Sequence, residues 1–170
     1  VAGRDAESVL QRVCTADVSA PVGRAVYTGM LNQRAGYEAD VTVTRVAEQE
    51  WLVLTAAATV GREMDRLRKH IGDAFVTVSD VSAGLAMLSV MGPRSRELLQ
   101  GLTDADLSHE SFGFGASRMI DLGATFVRAT RLTYVGELGW ELLEPADQAV
   151  QVYRTLSGAG APLGLRHAGY

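Results

Sequence analysis

The chain has 170 residues and a mass of 18.2 kDa, enough for one ordinary domain or for two small lobes that share an interface. Its formal net charge is −4 and it has no Lys/Arg-rich run, which argues against nucleic acid as a partner. No segment approaches the ~18 consecutive apolar residues of a membrane-spanning helix, so we expect no membrane partner either.

The first half of the sequence resembles the second half at a constant offset. Matching positions are Val1 and Val90, Gly3 and Gly92, Gln11 and Gln100, Asp17 and Asp106, and Trp51 and Trp140. Each copy has the order strand end, glycine turn, amphipathic helix, loop, hairpin and second helix. This order predicts an α+β fold of duplicated lobes with mostly antiparallel sheets and flanking helices. We expect the lobes to cover about residues 1–80 and 81–170.

The first copy begins with a predicted helix, because Val9, Leu10 and Val13 lie on one helical face. Alternation then predicts a hairpin of strands at 41–46 and 51–55. A second helix is predicted at about 60–70, followed by linking strands at 73–78 and 85–90.

The second copy predicts a helix that opens at Gly92-Pro93, where proline suits the first helical turn. A hairpin of strands at 126–132 and 140–143 follows, and the last predicted helix covers about 146–157.

Cys14 is the only cysteine, so an intrachain disulfide is impossible and a reducing compartment such as the cytoplasm is expected. It lies within the apolar pattern of the first helix, which indicates a core residue and not a nucleophile. No cluster of His, Cys, Asp and Glu has the spacing of metal ligands, and we predict no metal site. The abundance of Ala, Gly, Val and Arg suggests a bacterial source.

Residues 23–40 contain more turn glycines and polar residues than folding alone requires, and they end at Asp40 directly before a predicted strand. A two-residue period places Asp40, Thr42 and Thr44 on one strand face. A carboxylate beside hydroxyls can hold a nitrogen-bearing ligand or accept a proton. The alternative is a solvated strand face, which the spacing alone favours.

A second unusual stretch runs from Tyr134 to Glu141. Glu141 lies in an otherwise apolar strand, where an unpaired buried charge is costly. An ionised carboxylate accepts two parallel N–H donors, the array that a 2-aminopyrimidinone edge presents. Tyr134 could stack on a flat heterocycle. A tight hairpin with a half-exposed glutamate explains the same residues without a ligand.

A third stretch, Ser111-Phe-Gly-Phe-Gly115, places two aromatics between glycines. Such residues can cover a flat ligand or fill the space between packed elements.

The run Tyr27-Thr-Gly-Met-Leu-Asn32 followed by Asp40, together with Tyr134-x-Gly-Glu-x-Gly-x-Glu141, resembles the aminomethyltransferase (glycine cleavage T-protein) superfamily. The closing Gly164-Leu-Arg-His-Ala-Gly-Tyr170 is more similar to the dimethylglycine/sarcosine dehydrogenase branch. In that branch the folate domain follows a flavin oxidoreductase domain. The resemblance covers nearly the whole chain. It implies that the C-terminal part of the domain lies beyond residue 170.

The resemblance implies a tetrahydrofolate in a central channel with its pterin buried. Glu141 then matches the carboxylate that pairs with the pterin amino and ring N–H groups, and Asp40 matches the acid near the nitrogens that carry the one-carbon unit. The remaining implied ligand contacts are Tyr27, Thr42, Thr55, Phe112 and Tyr134.

The resemblance also implies a reaction. A one-carbon unit from a methylated amine, as an iminium or formaldehyde equivalent, is captured as 5,10-methylenetetrahydrofolate. FAD is expected only on a domain or subunit outside this chain. The family usually shows Gly-Gly before the acidic strand, whereas Ala35-Gly36 stands here, so a slightly different turn is expected.

Three other functions remain open at this point. One is the free-standing glycine-cleavage aminomethyltransferase, which the closing Arg166–Tyr170 motif disfavours. Another is a folate-binding assembly factor for iron–sulfur proteins without turnover. The last is a structural module that binds no folate, in which Asp40 and Glu141 would be ordinary outward-facing carboxylates.

Overall fold

The chain forms two compact units, Val1–Asp80 and Val81–Tyr170, in a computed structural model that describes residues 1–169. Tyr170, the last residue of the closing motif, lies outside the described residues. No helix among residues 1–169 is long and apolar enough to cross a membrane.

The first unit is a three-stranded antiparallel sheet in the order β1-β2-β3 with two helices. Its elements are α1 (Ala6–Val13), β1 (Arg24–Leu31), β2 (Tyr37–Ala47), β3 (Glu50–Leu54) and α2 (Val60–Lys69). Buried residues of both helices, including Leu10 and Leu67, pack with Val41, Val43 and Trp51 in one core cluster. The core therefore lies on one face of the sheet, and alternation places Asp40 and Thr42 on the opposite face.

The second unit is a four-stranded antiparallel sheet in the order β4-β7-β6-β5, again with two helices. Its elements are β4 (Leu85–Met91), α3 (Ser95–Gln100), β5 (Ser117–Leu122), β6 (Thr125–Thr130), β7 (Gly139–Pro145) and α4 (Ala149–Gly160). Trp140 is fully buried at the centre of its core and meets the edge of Phe112 at a ring-centroid distance of 6.3 Å. The predicted fold class, α+β with mostly antiparallel sheets and flanking helices, is confirmed.

The two units repeat individual hydrogen bonds at the offset read from the sequence. Gln11 Nε2 donates to Ala16 O at 2.9 Å, and Gln100 Nε2 donates to Ala105 O at the same distance. The backbone N–H of Gly3 donates to Gln49 O, and that of Gly92 donates to Leu138 O. Val1 neighbours Trp51 as Val90 pairs with Trp140. Equivalent residues thus hold equivalent helices and turns.

The prediction of a strand at 73–78 was wrong. The segment makes one isolated bridge, in which the backbones of Ala2 and Thr77 exchange hydrogen bonds of 2.9 and 2.7 Å. Among residues 1–169 this bridge to the stretch before α1 does not extend into a ladder. Phe75 is accordingly 67% exposed.

Two strands, β1 and β5, were not predicted as strands. In β1 the buried Thr28, Gly29 and Met30 follow one another, so the two-residue alternation that marks a half-buried strand is hidden. Ala35 adopts a positive φ of 59°, so the turn before β2 keeps a left-handed residue although glycine is absent there.

Candidate functional site

Asp40 and Tyr27 form a direct contact on the outer face of the first sheet. The Tyr27 hydroxyl donates a hydrogen bond of 3.0 Å to Asp40 Oδ2. Tyr27 is 64% exposed and Asp40 is exposed as well, so both can be reached by a ligand. The hydrogen bond to Asp40 is the main reason that the pKa of Tyr27 is raised to about 12. Tyr27 is therefore a neutral donor that holds one oxygen of the Asp40 carboxylate.

Thr42 and Thr55 have different settings in the first unit. Thr42 is half-buried and is the cross-strand partner of Tyr27 on one side and of Leu54 on the other. Thr55 follows the end of β3, and its hydroxyl lies 3.5 Å from that of Thr59. Thr42 thus shares the face of Asp40, whereas Thr55 belongs to the turn that precedes α2.

Glu141 occupies the middle of the second sheet, on the face opposite the core. Its neighbours in β7, Trp140 and Leu142, are both fully buried, and its cross-strand partners are Ser89 and Thr130. Glu141 is half-buried, and burial raises the pKa of its carboxyl group. Among residues 1–169 this carboxylate has no hydrogen-bond or ion-pair partner. A desolvated acceptor without a partner is what a ligand with N–H donors requires.

The fold itself does not require a carboxylate at position 141. In the first unit the residue after the equivalent tryptophan, Trp51, is Leu52, and it pairs with Thr44 as Glu141 pairs with Thr130. An apolar residue therefore occupies the corresponding position in the sheet of the first unit. The stability of the sheet therefore does not explain why position 141 is a glutamate.

A row of polar side chains continues from Glu141 across the sheet. Thr130 pairs with Ser117 of β5, and their hydroxyl oxygens are 2.8 Å apart and buried. Sequence reasoning missed Ser117 and Thr130 because β5 was not predicted, so their register next to Glu141 could not be derived.

Tyr134 and Phe112 have opposite environments in the second unit. Tyr134 is 73% exposed in the segment that joins β6 and β7, where a ligand can reach it. Phe112 is completely buried in the hydrophobic core, against Trp140, with the Arg118 guanidinium 4.4 Å from its ring centroid. Core side chains and Arg118 surround its ring, so Phe112 packs the core of the second unit, and its contact with a ligand stays a prediction.

Cys14 is buried, and burial raises the pKa of its thiol to about 11. A thiol with that pKa is protonated at neutral pH, and only the thiolate is nucleophilic. Cys14 is therefore a core residue of the first unit, as its sequence pattern indicated.

The candidate residues form two groups, one in each unit. The first unit holds Asp40 with Tyr27 and Thr42, an exposed acid beside hydroxyl groups. The second unit holds Glu141 with Thr130 and Ser117, a desolvated acid beside a hydroxyl pair. The first group suits proton handling near an amine, and the second suits recognition of a donor edge.

The chain is similar to parts of two longer proteins. The chain is 41% identical to 4-methylaminobutanoate oxidase (formaldehyde-forming) of Paenarthrobacter nicotinovorans over 170 residues, covering 100% of the chain and 21% of that protein. It is 40% identical to human mitochondrial sarcosine dehydrogenase over 183 residues, covering 99% of the chain and 20% of that protein. The chain thus spans about a fifth of the length of these relatives.

Among solved structures, the glycine cleavage system aminomethyltransferase T of Bartonella henselae superposes with a TM-score of 0.77 at 25% identity, covering 92% of this chain and 42% of that one. The model of the GCVT N-terminal domain matches residues 1–170. The resemblance read from the motifs is confirmed, and the chain belongs to the GCVT N-terminal domain family.

Proposed function

We propose that the chain is the folate-binding module of a flavin-dependent dehydrogenase or oxidase that demethylates a methylated amine. Tetrahydrofolate supplies two amine nitrogens that hold a one-carbon unit at the oxidation level of formaldehyde, as 5,10-methylenetetrahydrofolate. The observation that carries the proposal is the half-buried Glu141 carboxylate without a partner among the described residues.

Glu141 is proposed to bind the pterin. Its two oxygens accept the parallel N–H donors of the 2-amino group and the adjacent ring nitrogen. Because the site is desolvated, each of these hydrogen bonds is stronger than it would be in water. Tyr134 is proposed to contact the flat ring from its exposed position between β6 and β7.

Asp40 is proposed to act near the nitrogens that carry the one-carbon unit. Capture of a methylene iminium releases the parent amine and one proton overall. Asp40 Oδ2 is held by Tyr27, so Oδ1 is the oxygen available to take that proton or to face the cationic carbon unit. Thr42 and Thr55 are proposed as ligand contacts beside it.

The substrates of the parent protein are proposed from the relatives. Both relatives are named for N-methylated amino acids, one of them as formaldehyde-forming, which supports a methylated amine such as sarcosine or dimethylglycine. The flavin is proposed to lie on another domain or subunit. The length of the relatives supports this, since the chain accounts for about a fifth of each. The free thiol of Cys14 supports a reducing compartment such as the bacterial cytoplasm.

Glu141→Gln is expected to weaken binding of folinic acid, a stable reduced folate, by about 10- to 100-fold, because an amide cannot accept both N–H donors and lacks the charge. Isothermal titration calorimetry on the chain, and on the longer protein that contains it, measures this loss. Glu137→Gln is the matched control, since Glu137 is exposed four residues away. Undiminished affinity in Glu141→Gln would refute the pterin contact, and a longer protein that binds no folinic acid would refute the function.

Asp40→Asn is expected to slow one-carbon capture by about 10²- to 10⁴-fold while changing folinic acid affinity far less, because asparagine keeps the shape but cannot hold the proton. In the intact flavoprotein, product should shift from 5,10-methylenetetrahydrofolate to free formaldehyde. Asp65→Asn, on the surface of α2, serves as the control. An unchanged product ratio in Asp40→Asn would exclude a chemical role for this acid.

A further inference from the structure

The ring of Tyr37 lies across the outer face of β1, directly beside Asp40. A Cβ atom added to Gly29 would stand 2.6 Å from Tyr37 Cε2 and 3.1 Å from the Tyr37 hydroxyl oxygen. Gly29 is also the cross-strand partner of Asp40. Tyr37 therefore occupies the surface that a side chain at position 29 would otherwise fill.

An irregularity in the β1–β2 ladder brings Tyr37 to this face. Met30 pairs with Ala39, but the next pair is Leu31 with Tyr37, so Glu38 is an extra residue in β2. Glu38 is held elsewhere, since Asn32 Nδ2 donates to its carboxylate at 2.6 Å. A bulge of this kind re-aims the side chains that flank it. Without it, the period of two would turn Tyr37 away from Asp40.

Tyr37 is connected to Asp40 through Tyr27. The Tyr27 hydroxyl donates its one proton to Asp40, and Tyr27 lies two residues before Gly29 on the same face of β1, beside the Tyr37 ring. Asp40 is the main cause of the raised pKa of Tyr27, and the neighbouring Tyr37 side chain is a further one. Both tyrosines are 64% exposed, so the rings flank the carboxylate on a surface open to ligands. The three side chains form one connected group on a single sheet face.

We propose that Tyr37 is a positioning residue, which restrains Tyr27 and through it fixes the Asp40 carboxylate for the bound ligand. This inference rests on the proposed function of Asp40. An exposed aspartate on a strand face samples several rotamers, and one hydrogen bond from a solvated tyrosine restrains it weakly. A second ring packed over Gly29 limits Tyr27 as well. Catalytic groups need such support to keep a productive geometry.

A double-mutant cycle tests whether Tyr37 acts through Tyr27. One-carbon capture, read as the ratio of 5,10-methylenetetrahydrofolate to free formaldehyde in the intact flavoprotein, is compared in the wild type, Tyr37→Phe, Tyr27→Phe and the double variant. Each single change is expected to lower this ratio by about 3- to 10-fold, and the ratio in the double variant should be no lower than in Tyr27→Phe alone. Tyr153→Phe, which removes an exposed hydroxyl on α4, is the control. Multiplicative losses, or no loss in Tyr37→Phe, would overturn the proposal.

A second measurement needs no ligand and so separates this inference from the proposed function. In protein labelled with ¹³Cζ-tyrosine, the Tyr27 resonance reports its ionisation directly. The pKa of Tyr27 should be about 12 in the wild type, lower in Tyr37→Phe and lowest in Asp40→Asn. Gly29→Ala, whose methyl group displaces the flexible ring of Tyr37, should reproduce Tyr37→Phe. Identical Tyr27 titrations in all variants would refute the connected group even where folate binds normally.

Discussion

Gly3→Ala is expected to destabilise the first unit by about 1–3 kcal/mol more than Gly92→Ala destabilises the second. Both glycines have a positive φ, 137° and 126°, that L-residues rarely adopt, which costs about 1–3 kcal/mol at either site. At Gly3 an added Cβ would also stand 2.1 Å from the carbonyl oxygen of Phe75. At Gly92 no described atom beyond the two neighbouring residues in the chain lies within 4 Å of an added Cβ.

The clash at Gly3 is with backbone, which cannot rotate away as a side chain can. The Phe75 carbonyl is fixed by the hydrogen bonds between Ala2 and Thr77, so relief requires breaking that bridge. Overpacking of this kind adds about 1–3 kcal/mol or more. The equivalent turns make Gly92→Ala an internal control for backbone strain alone.

Hydrogen exchange with mass spectrometry, at increasing urea, measures the two units separately in peptides from α1 and α3. Gly3→Ala should lower the protection of α1 far more than Gly92→Ala lowers that of α3. Equal losses at the two sites would show that the backbone of residues 73–78 yields at little cost, and the steric argument would fail.

Glu144→Gln is expected to be more stable than the wild type above pH 7, by up to about 3 kcal/mol, and to lose this advantage below pH 5. Glu144 is fully buried on the core side of β7, and both carboxyl oxygens lack a hydrogen-bond partner among the described residues. Burial raises the pKa of its carboxyl group from 4.5 to about 7.

The direction of this change in the free energy of unfolding follows from proton binding. Between pH 4.5 and pH 7 the folded chain keeps the Glu144 proton that the unfolded chain has released, so the free energy of unfolding falls as pH rises through this window. Below 4.5 both states are protonated and the full stability is present. Glutamine remains neutral throughout and removes this dependence.

Urea unfolding at pH 5, 6, 7 and 8 measures the difference in the free energy of unfolding between wild type and Glu144→Gln. The difference should grow with pH in favour of the variant and level off above pH 7. Glu110→Gln, at an exposed position of the same unit, should show no such trend. A constant difference would mean that Glu144 finds a partner in solution.

The duplicated fold offers a physical basis for the separate tasks that we propose for the two acids. Each unit offers the same sheet with one face free of its own helices, and each carries one acid where the fold does not require it. Asp40 is exposed and restrained by tyrosines, whereas Glu141 is desolvated and flanked by hydroxyls. An exposed acid exchanges protons readily, and a desolvated one recognises donors strongly. Specialisation of a duplicated unit therefore needs few substitutions.

The sequence by itself determined the duplication and the α+β class, and it was enough to select Asp40 and Glu141 as candidate site residues. These features depend on local patterns: an offset repeat, the spacing of apolar residues in helices and alternation in β2 and β7. Asp40 and Glu141 could be selected because a charge in an alternating or apolar strand is unusual within a window of a few residues. Family motifs then supplied their proposed roles.

Only the tertiary structure decided which residues are buried and which are partners. Phe112 is fully buried in the core, the segment 73–78 forms a single bridge, and Tyr37 reaches Asp40 through a bulge. The unpaired Glu144 was equally invisible in the sequence. Each of these outcomes depends on contacts between residues distant in the chain or on register between strands. A local window does not encode them, because one inserted residue turns a side chain to the other face of a sheet.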